Sequence, residues 1–368
     1  MFDRRLLENF DWGLLLLIFT IATVGLVILY SALTAGHDQT LHPLLKKQIG
    51  WMAFGFIIMI FIFFLDYKYF DEASIVIYLL CIGLLVAVYF SGKYVGGSRR
   101  WIDLGPFTMQ PSEIMKIALI IMLSSVYSDM VSEQGLNFRK LTKPFFICIV
   151  PFLLIAIQPD LGTAVLLLLI AGSITMFVKV ERRVVISFIG VIIAAIPLCW
   201  FFLLKGYQKS RILTLFDPER DPLGAGYHII QSKIAIGSGM LTGKGFLQGT
   251  QNTLSFLPEQ HTDFIVSVLA EEWGFLGCFA LLFLYFILLM WGLNIAYGCR
   301  NMFGSILAFG VTSMIFWQIF INFGMVMGLM PVVGVPLPLI SYGGSSVITN
   351  MIGLGILINI SMRKYISK

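Results

Sequence analysis

Ten stretches of this chain are long enough, or nearly so, to cross a bilayer as helices and carry almost no charge, at roughly 12–34, 49–65, 72–91, 111–127, 143–157, 161–178, 184–204, 264–292, 303–329 and 345–362. A spanning helix needs about 20 mostly apolar residues. The runs are continuous rather than alternating, so a closed β-barrel is excluded and helices remain as the structure that satisfies every backbone group in lipid. Composition agrees: 58% of residues are hydrophobic and 12% charged, where a soluble domain is about a quarter charged. The expectation is an all-α polytopic membrane protein, one domain over 1–368, with about ten transmembrane helices. The fourth and fifth stretches are short and partly polar, so nine remains an alternative. Gln158-Pro159-Asp160 is either a tight outer turn or a break within a helix.

Lys and Arg set the orientation. With the N-terminus cytoplasmic, thirteen fall in inner loops, among them Arg4, Arg5, Lys179, Arg182, Arg183, Arg363, Lys364 and Lys368, and five in short outer loops. Both termini are therefore expected in the cytoplasm, and a long extracytoplasmic loop, 205–262, joins the seventh helix to the eighth. The run Leu14 to Leu33 is too long for a cleaved signal and reads as a retained first helix. The net charge of +5 reflects this topology and contact with anionic lipid; no basic stripe of the kind nucleic acid needs is present. The cysteines show no C-x-x-C spacing and the four histidines no metal-ligand spacing.

The polar exceptions carry the functional information, since an ionisable group in a span is expensive. The 205–262 segment is too long for a connector. It contains Arg211 and a stretch, 226–236, that reads as an amphipathic helix at the interface, with Ile229, Ile230, Ile234 and Ile236 on one side and Lys233 elsewhere. Glycines 237, 239, 243, 245 and 249 suit close backbone approach. Asp263 follows; on one continuous helix it would stand roughly 15–20 Å outward from the apolar run that starts near Phe275. It is either a helix-start acid favoured by the macrodipole or a reacting group at the outer mouth. Glu271 and Glu272 line a polar cavity or pair structurally. Glu113 and Lys116, three apart, share a helix face, as a structural ion pair or a cavity wall that orients a polar substrate. Arg99, Arg100, Lys46 and Lys47 are outer cations, solvated or free to neutralise a diphosphate. Asp160 sits at a helix start, where capping is the alternative to a binding role. Near the C-terminus, 336–346 contains Ser341 and opens the last span with Gly-Gly-Ser-Ser, a loop and cap or an anion site at a helix N-terminus.

Four stretches, Gln158 to Thr163, Gly226 to Gly239, Leu257 to Phe264 and Leu337 to Ser346, together resemble the SEDS family (shape, elongation, division and sporulation), and the likeness covers essentially the whole chain. Asp217 to His228 resembles its elongation branch more than its division branch. Met240, Thr242 and Val266 depart from the family pattern without touching an ionisable candidate.

The resemblance implies a peptidoglycan glycosyltransferase that polymerises lipid II on the outer face of the bacterial cytoplasmic membrane. It implies that Asp263 is the general base in an inverting transfer. Candidates for contact with substrate are Glu113, Lys116, Arg211, Lys233, Arg99, Asp160 and Ser341. A divalent cation, Mg²⁺ or Mn²⁺, is a further expectation. So are a class B penicillin-binding protein as partner and other elongation-complex proteins around it. Two rival classes stay open on the sequence: a flippase for a lipid-linked precursor, which the intramembrane Glu–Lys pair permits but the lack of an inverted repeat disfavours, and a non-catalytic scaffold.

Overall fold

The computed structural model describes residues 10–34, 42–95, 98–103, 105, 108–130, 135–198, 200–201, 206–220, 224–254 and 260–363. Arg4, Arg5, Lys364 and Lys368 of the charge bias, and residues 221–223 and 257–259 of the quoted motifs, lie outside them.

A helix lies over each of the ten apolar stretches. In chain order these are α1 (Trp12–Thr34), α2 (Pro43–Phe64), α4 (Ser74–Ser91), α5 (Pro111–Met130), α6 (Phe138–Ile157), α7 (Leu161–Phe177), α8 (Arg182–Leu198), α12 (Ile265–Gly298), α13 (Met302–Val326) and α14 (Gly344–Arg363). The short α3 (Lys68–Glu72) precedes α4, and α9 (Gly206–Phe216), α10 (Ala225–Gly239) and α11 (Thr250–Thr253) lie in the long segment. Six helices, α1, α2, α6, α12, α13 and α14, are long and apolar enough to cross a membrane, and α4 and α7 are shorter apolar helices. The chain is a multi-pass helical membrane protein. One amendment to the all-α expectation is a small antiparallel sheet, in the order β1 (Lys93–Val95), β2 (Ser98–Asp103), β3 (Thr108–Met109), between α4 and α5.

Burial orders the helices. In α13 and α14 the apolar windows are 78% and 89% buried, against 22% in α6 and α12. The first two are therefore central, and the last two turn large apolar side chains such as Phe146, Leu153, Phe279 and Phe283 to lipid. Helix α5, from Pro111 to Tyr127, is almost wholly buried, which is how it tolerates Glu113, Lys116 and Ser124. Small residues bring these helices together. A Cβ on Gly353 of α14 would lie 3.0 Å from Val311, and 3.4 Å from both Met314 of α13 and Ile117 of α5.

Residues 327–343, between α13 and α14, are not helical, as Pro336 and Pro338 dictate. This segment nevertheless runs among the helices: a Cβ on Gly25, within α1, would stand 2.5 Å from Leu339 O. Irregular backbone at such depth is tolerated only when protein satisfies its polar groups. Side chains do so here. The Tyr285 hydroxyl donates to Pro338 O at 2.6 Å, Gln48 Nε2 to Ser341 O at 3.1 Å and Asn322 Nδ2 to Val335 O at 2.8 Å, while Gly343 N donates to Gln48 Oε1 at 3.2 Å.

Two expectations for the outer segment are corrected. Helix α12 is not continuous: Gly274 (φ 63°, ψ −160°) breaks it. The segment 240–245 fills the break, because Lys244 N and Gly245 N donate to the carbonyls of Glu271 and Glu272, and Phe275 N and Leu276 N donate to those of Met240 and Leu241. Gly239 and Gly243 are required, since a Cβ on either would run into the carbonyl of Ala270 or Glu272. The 226–236 helix, inside α10, does not keep Ile234 on the side of Ile229. It packs on α12 through Ile229, Ser232 and Ala235, and the Ser232 and Ser267 hydroxyls are 2.9 Å apart. Ile234 is thereby turned to the exposed side with Lys233.

Candidate functional site

Asp263 stands two residues before α12, on a stretch of chain gripped from three directions. The Ser341 hydroxyl donates to Thr262 O at 2.6 Å and accepts from Leu337 N at 2.9 Å. Tyr342 N donates to His261 O at 3.0 Å. From α13, Asn322 Nδ2 donates to Asp263 O at 3.0 Å as well as to Val335 O. On the third side the buried Phe264 stacks on His228 of α10, with ring centroids 5.7 Å apart. The Asp263 carboxylate lies against Gly334, whose φ is 72° and where a Cβ would be 3.2 Å from Oδ2. Asp263 is half-buried on a backbone fixed in this way, and a well-positioned group is the condition for efficient proton transfer to an acid or base.

Two cations reach the 328–334 loop, whose last residue meets that carboxylate. Arg211 of α9 donates to Val332 O at 3.1 Å. Lys233 of α10 lies over Gly328, where a Cβ would be 2.9 Å from Nζ. Val333 O packs on Gly162 at the start of α7, and Gly334 meets Asp263. One short loop therefore touches Lys233, Arg211, the start of α7 and Asp263 in turn. Asp263, Arg211 and Lys233 thus each touch the 328–334 loop, and Ser341 holds the backbone next to Asp263.

Asp160 and Arg99 lie on the far side of the 158–163 turn. Asp160 is 5% exposed and caps α7. Its carboxylate accepts from Thr163 N and Oγ1, from Gln110 Nε2 at 2.9 Å and from Ser112 at 3.4 Å, and Arg100 Nη1 is 3.7 Å away. Arg100 also donates to the carbonyls of Gln158 and Pro159. Asp160 thus ties the sheet, α5 and α7 into one wall. Arg99, the next residue on β2, lines a separate cavity.

Glu113 and Lys116 are buried within the bundle, with Lys116 Nζ 2.8 Å from both carboxylate oxygens. Ile117, Met314 and Gly353 form an apolar contact between α5, α13 and α14. One turn outward on the same three faces stand Glu113, Gln318 and Thr349. The Gln318 amide, the Thr349 hydroxyl and Asn350 Oδ1 are buried and make no hydrogen bond to protein. A cluster of buried polar side chains, Gln318, Thr349 and Asn350, therefore stands one turn from that apolar contact, on the side of Glu113. Gln318, Asn322, Thr349, Asn350 and Gln48 were missed by sequence reasoning; the available signal was an amide or hydroxyl within an apolar span.

Glu271 belongs to neither group. Lys244 Nζ and Gln251 N donate to its Oε1 at 2.7 and 3.1 Å, and Glu272 accepts from Ser31 at 2.5 Å. Glu271 fastens the segment that fills the α12 break, and Glu272 ties α12 to α1. Among the described residues no group of three or more His, Cys, Asp or Glu comes together that could hold a metal ion. A divalent cation at Asp263 would take most of its oxygen ligands from substrate and water.

A family model described as cell cycle protein, FtsW/RodA/SpoVE, matches residues 12–366. The chain is 44% identical over 362 residues to the peptidoglycan glycosyltransferase MrdB of Escherichia coli K12, covering 98% of this chain and 96% of that one. It is 32% identical to the peptidoglycan glycosyltransferase RodA of Treponema pallidum, covering 98% and 99%. Among solved structures it resembles a chain from work on the structural coordination of polymerization and crosslinking by a peptidoglycan synthase complex (TM-score 0.82, 31% identity, 97% and 99% covered). It also resembles the rod shape determining protein RodA of Thermus thermophilus (TM-score 0.72, 27% identity, 97% and 98% covered).

Proposed function

The chain belongs to the FtsW/RodA/SpoVE family of cell cycle proteins and is a peptidoglycan glycosyltransferase, and we propose that it polymerises lipid II on the outer face of the cytoplasmic membrane with Asp263 as general base. The observation that supports this reading is Asp263, its backbone held by Asn322 and its carboxylate against Gly334, with Arg211 and Lys233 touching the same loop. A sugar hydroxyl is a poor nucleophile. In the reading we propose, Asp263 takes the proton of the acceptor GlcNAc 4-hydroxyl as its oxygen forms a bond to the donor MurNAc anomeric carbon. The bond from that carbon to the donor's diphosphate breaks, and undecaprenyl diphosphate leaves with the bonding pair. Arg211 and Lys233 offset the charge that develops on it. Inversion at the carbon needs one base and no covalent intermediate.

In this reading all ten helices span the membrane, both termini are cytoplasmic and the 205–262 segment is outside. The likeness to a chain of a peptidoglycan synthase complex supports a class B penicillin-binding protein as the crosslinking partner. The test is polymerisation of purified lipid II by the chain with its partner, resolved on a gel. Asp263→Asn keeps the shape but not the basicity and should lower the rate about 10²- to 10⁴-fold. Polymer from the variant at the parent rate would refute the assignment.

A further inference from the structure

The proposed chemistry requires two lipid diphosphates to be bound at once. One leaves from the donor at the reacting carbon. The other stays on the acceptor, one disaccharide away from the hydroxyl that attacks. The two cannot share a site. The second must lie at the lipid–water boundary, offset from Asp263, and must present a cation not already committed to protein.

A place among the described residues has these properties. A cavity of about 390 Å³, within the range of small-molecule sites, opens at the outer ends of α4 and α6. Its walls are Tyr89, Phe90, Ile157, Gln158 and Pro159, and Arg99 supplies its charge. Successive residues of a strand face opposite ways. On β2 this divides two adjacent arginines: Arg100 turns inward and is spent on Asp160 and on the carbonyls of Gln158 and Pro159. Arg99 is exposed, faces the cavity and has no ion-pair partner among the described residues. The aromatic and aliphatic walls suit the first part of a lipid tail and the guanidinium suits a phosphate, as in basic pockets between membrane helices. The pocket is also connected to the reacting centre, because Pro159 lines it, Gly162 of the same turn packs on Val333, and the next residue, Gly334, meets Asp263.

We propose that the Arg99 pocket holds the diphosphate of the acceptor lipid. The proposal rests on the polymerase reading above and assigns to that reaction a second lipid site. Two measurements test it on the full chain with its partner in neutral detergent. The first is the KM for lipid II of Arg99→Ala and Arg99→Glu. Loss of a charge-assisted contact predicts a rise of about tenfold or more, with Arg99→Lys partly restoring it. Ile157→Trp, which fills the pocket and leaves the charge in place, should raise KM in the same direction. The second is native mass spectrometry with undecaprenyl diphosphate, undecaprenol or phosphatidylglycerol as probe. The parent should retain two undecaprenyl diphosphates and Arg99→Glu one, with undecaprenol unaffected by the substitution. An unchanged count and an unchanged KM would overturn the proposal. So would loss of bound phosphatidylglycerol alone, which would make the pocket a site for bulk lipid. A parent chain that binds two diphosphates yet makes no polymer would instead remove the polymerase reading and leave a lipid-diphosphate pocket standing.

Discussion

Lys116→Met tests the interior of the bundle. Lys116 is fully buried and its Nζ is 2.8 Å from each Glu113 oxygen. At that distance, with an effective dielectric constant of 20, the attraction is about 6 kcal/mol. Moving both ions from water costs several kcal/mol each, so the pair as a whole is close to neutral for stability. Removing the cation alone leaves the buried carboxylate with the cost and without the attraction, and the expected loss is about 3–5 kcal/mol. Glu113→Leu should lose a similar amount by the same reasoning. The double variant removes both charges together and should be far less destabilised than the sum of the two. The assay is a double-mutant cycle by reversible unfolding in mixed micelles, which isolates the coupling between the two positions. A coupling below about 1 kcal/mol, the range of solvated pairs, would refute the argument, because it would mean that water reaches the pair. Lipid II polymerisation by the double variant then separates roles: a stable but inactive protein shows that the charges also serve substrate.

Two further substitutions probe the positioning of Asp263 and the outer segment. Asn322→Leu leaves Asp263 O and Val335 O without their shared donor, and a slight displacement of the base should lower kcat about 10²-fold; single-turnover kinetics at saturating lipid II would read it, and an unchanged kcat would show that the clasp is not needed. Gly239→Ala drives a Cβ into the Ala270 carbonyl and should cost about 3 kcal/mol or separate the outer segment from α12; limited proteolysis within 240–254 should accelerate, and an unaltered pattern would contradict the packing described.

The membrane class and the helix boundaries were legible because lipid imposes continuous apolar runs. Boundaries moved by up to six residues at either end, as at the starts of α2 (Pro43) and α6 (Phe138) and at the end of α12 (Gly298). The Glu113–Lys116 pairing was legible because three-residue spacing fixes a shared helix face. What escaped depended on partners distant in sequence. Asp160 read as a cap or a ligand, and only the approach of Gln110, Ser112 and Arg100 shows how fully it is engaged. The adjacent arginines looked equivalent until β2 turned them to opposite sides; Gly96-Gly97 between two β-prone runs was the signal for that hairpin. Gly274 gave no warning of a break, since an isolated glycine is common in a membrane helix.

That break has a consequence for how the protein is made. An unsatisfied backbone group costs several kcal/mol in hydrocarbon, and the carbonyls and amides on either side of Gly274 find their partners only in 240–245. The ribosome delivers 240–245 before α12. With the 205–262 segment outside, as proposed above, 240–245 is a template already in place at the outer surface when the later helix arrives, and that helix reaches its native form only against it. Biogenesis of this protein thus departs from a scheme in which finished helices enter first and associate afterwards: one helix is completed by chain that was translocated before it.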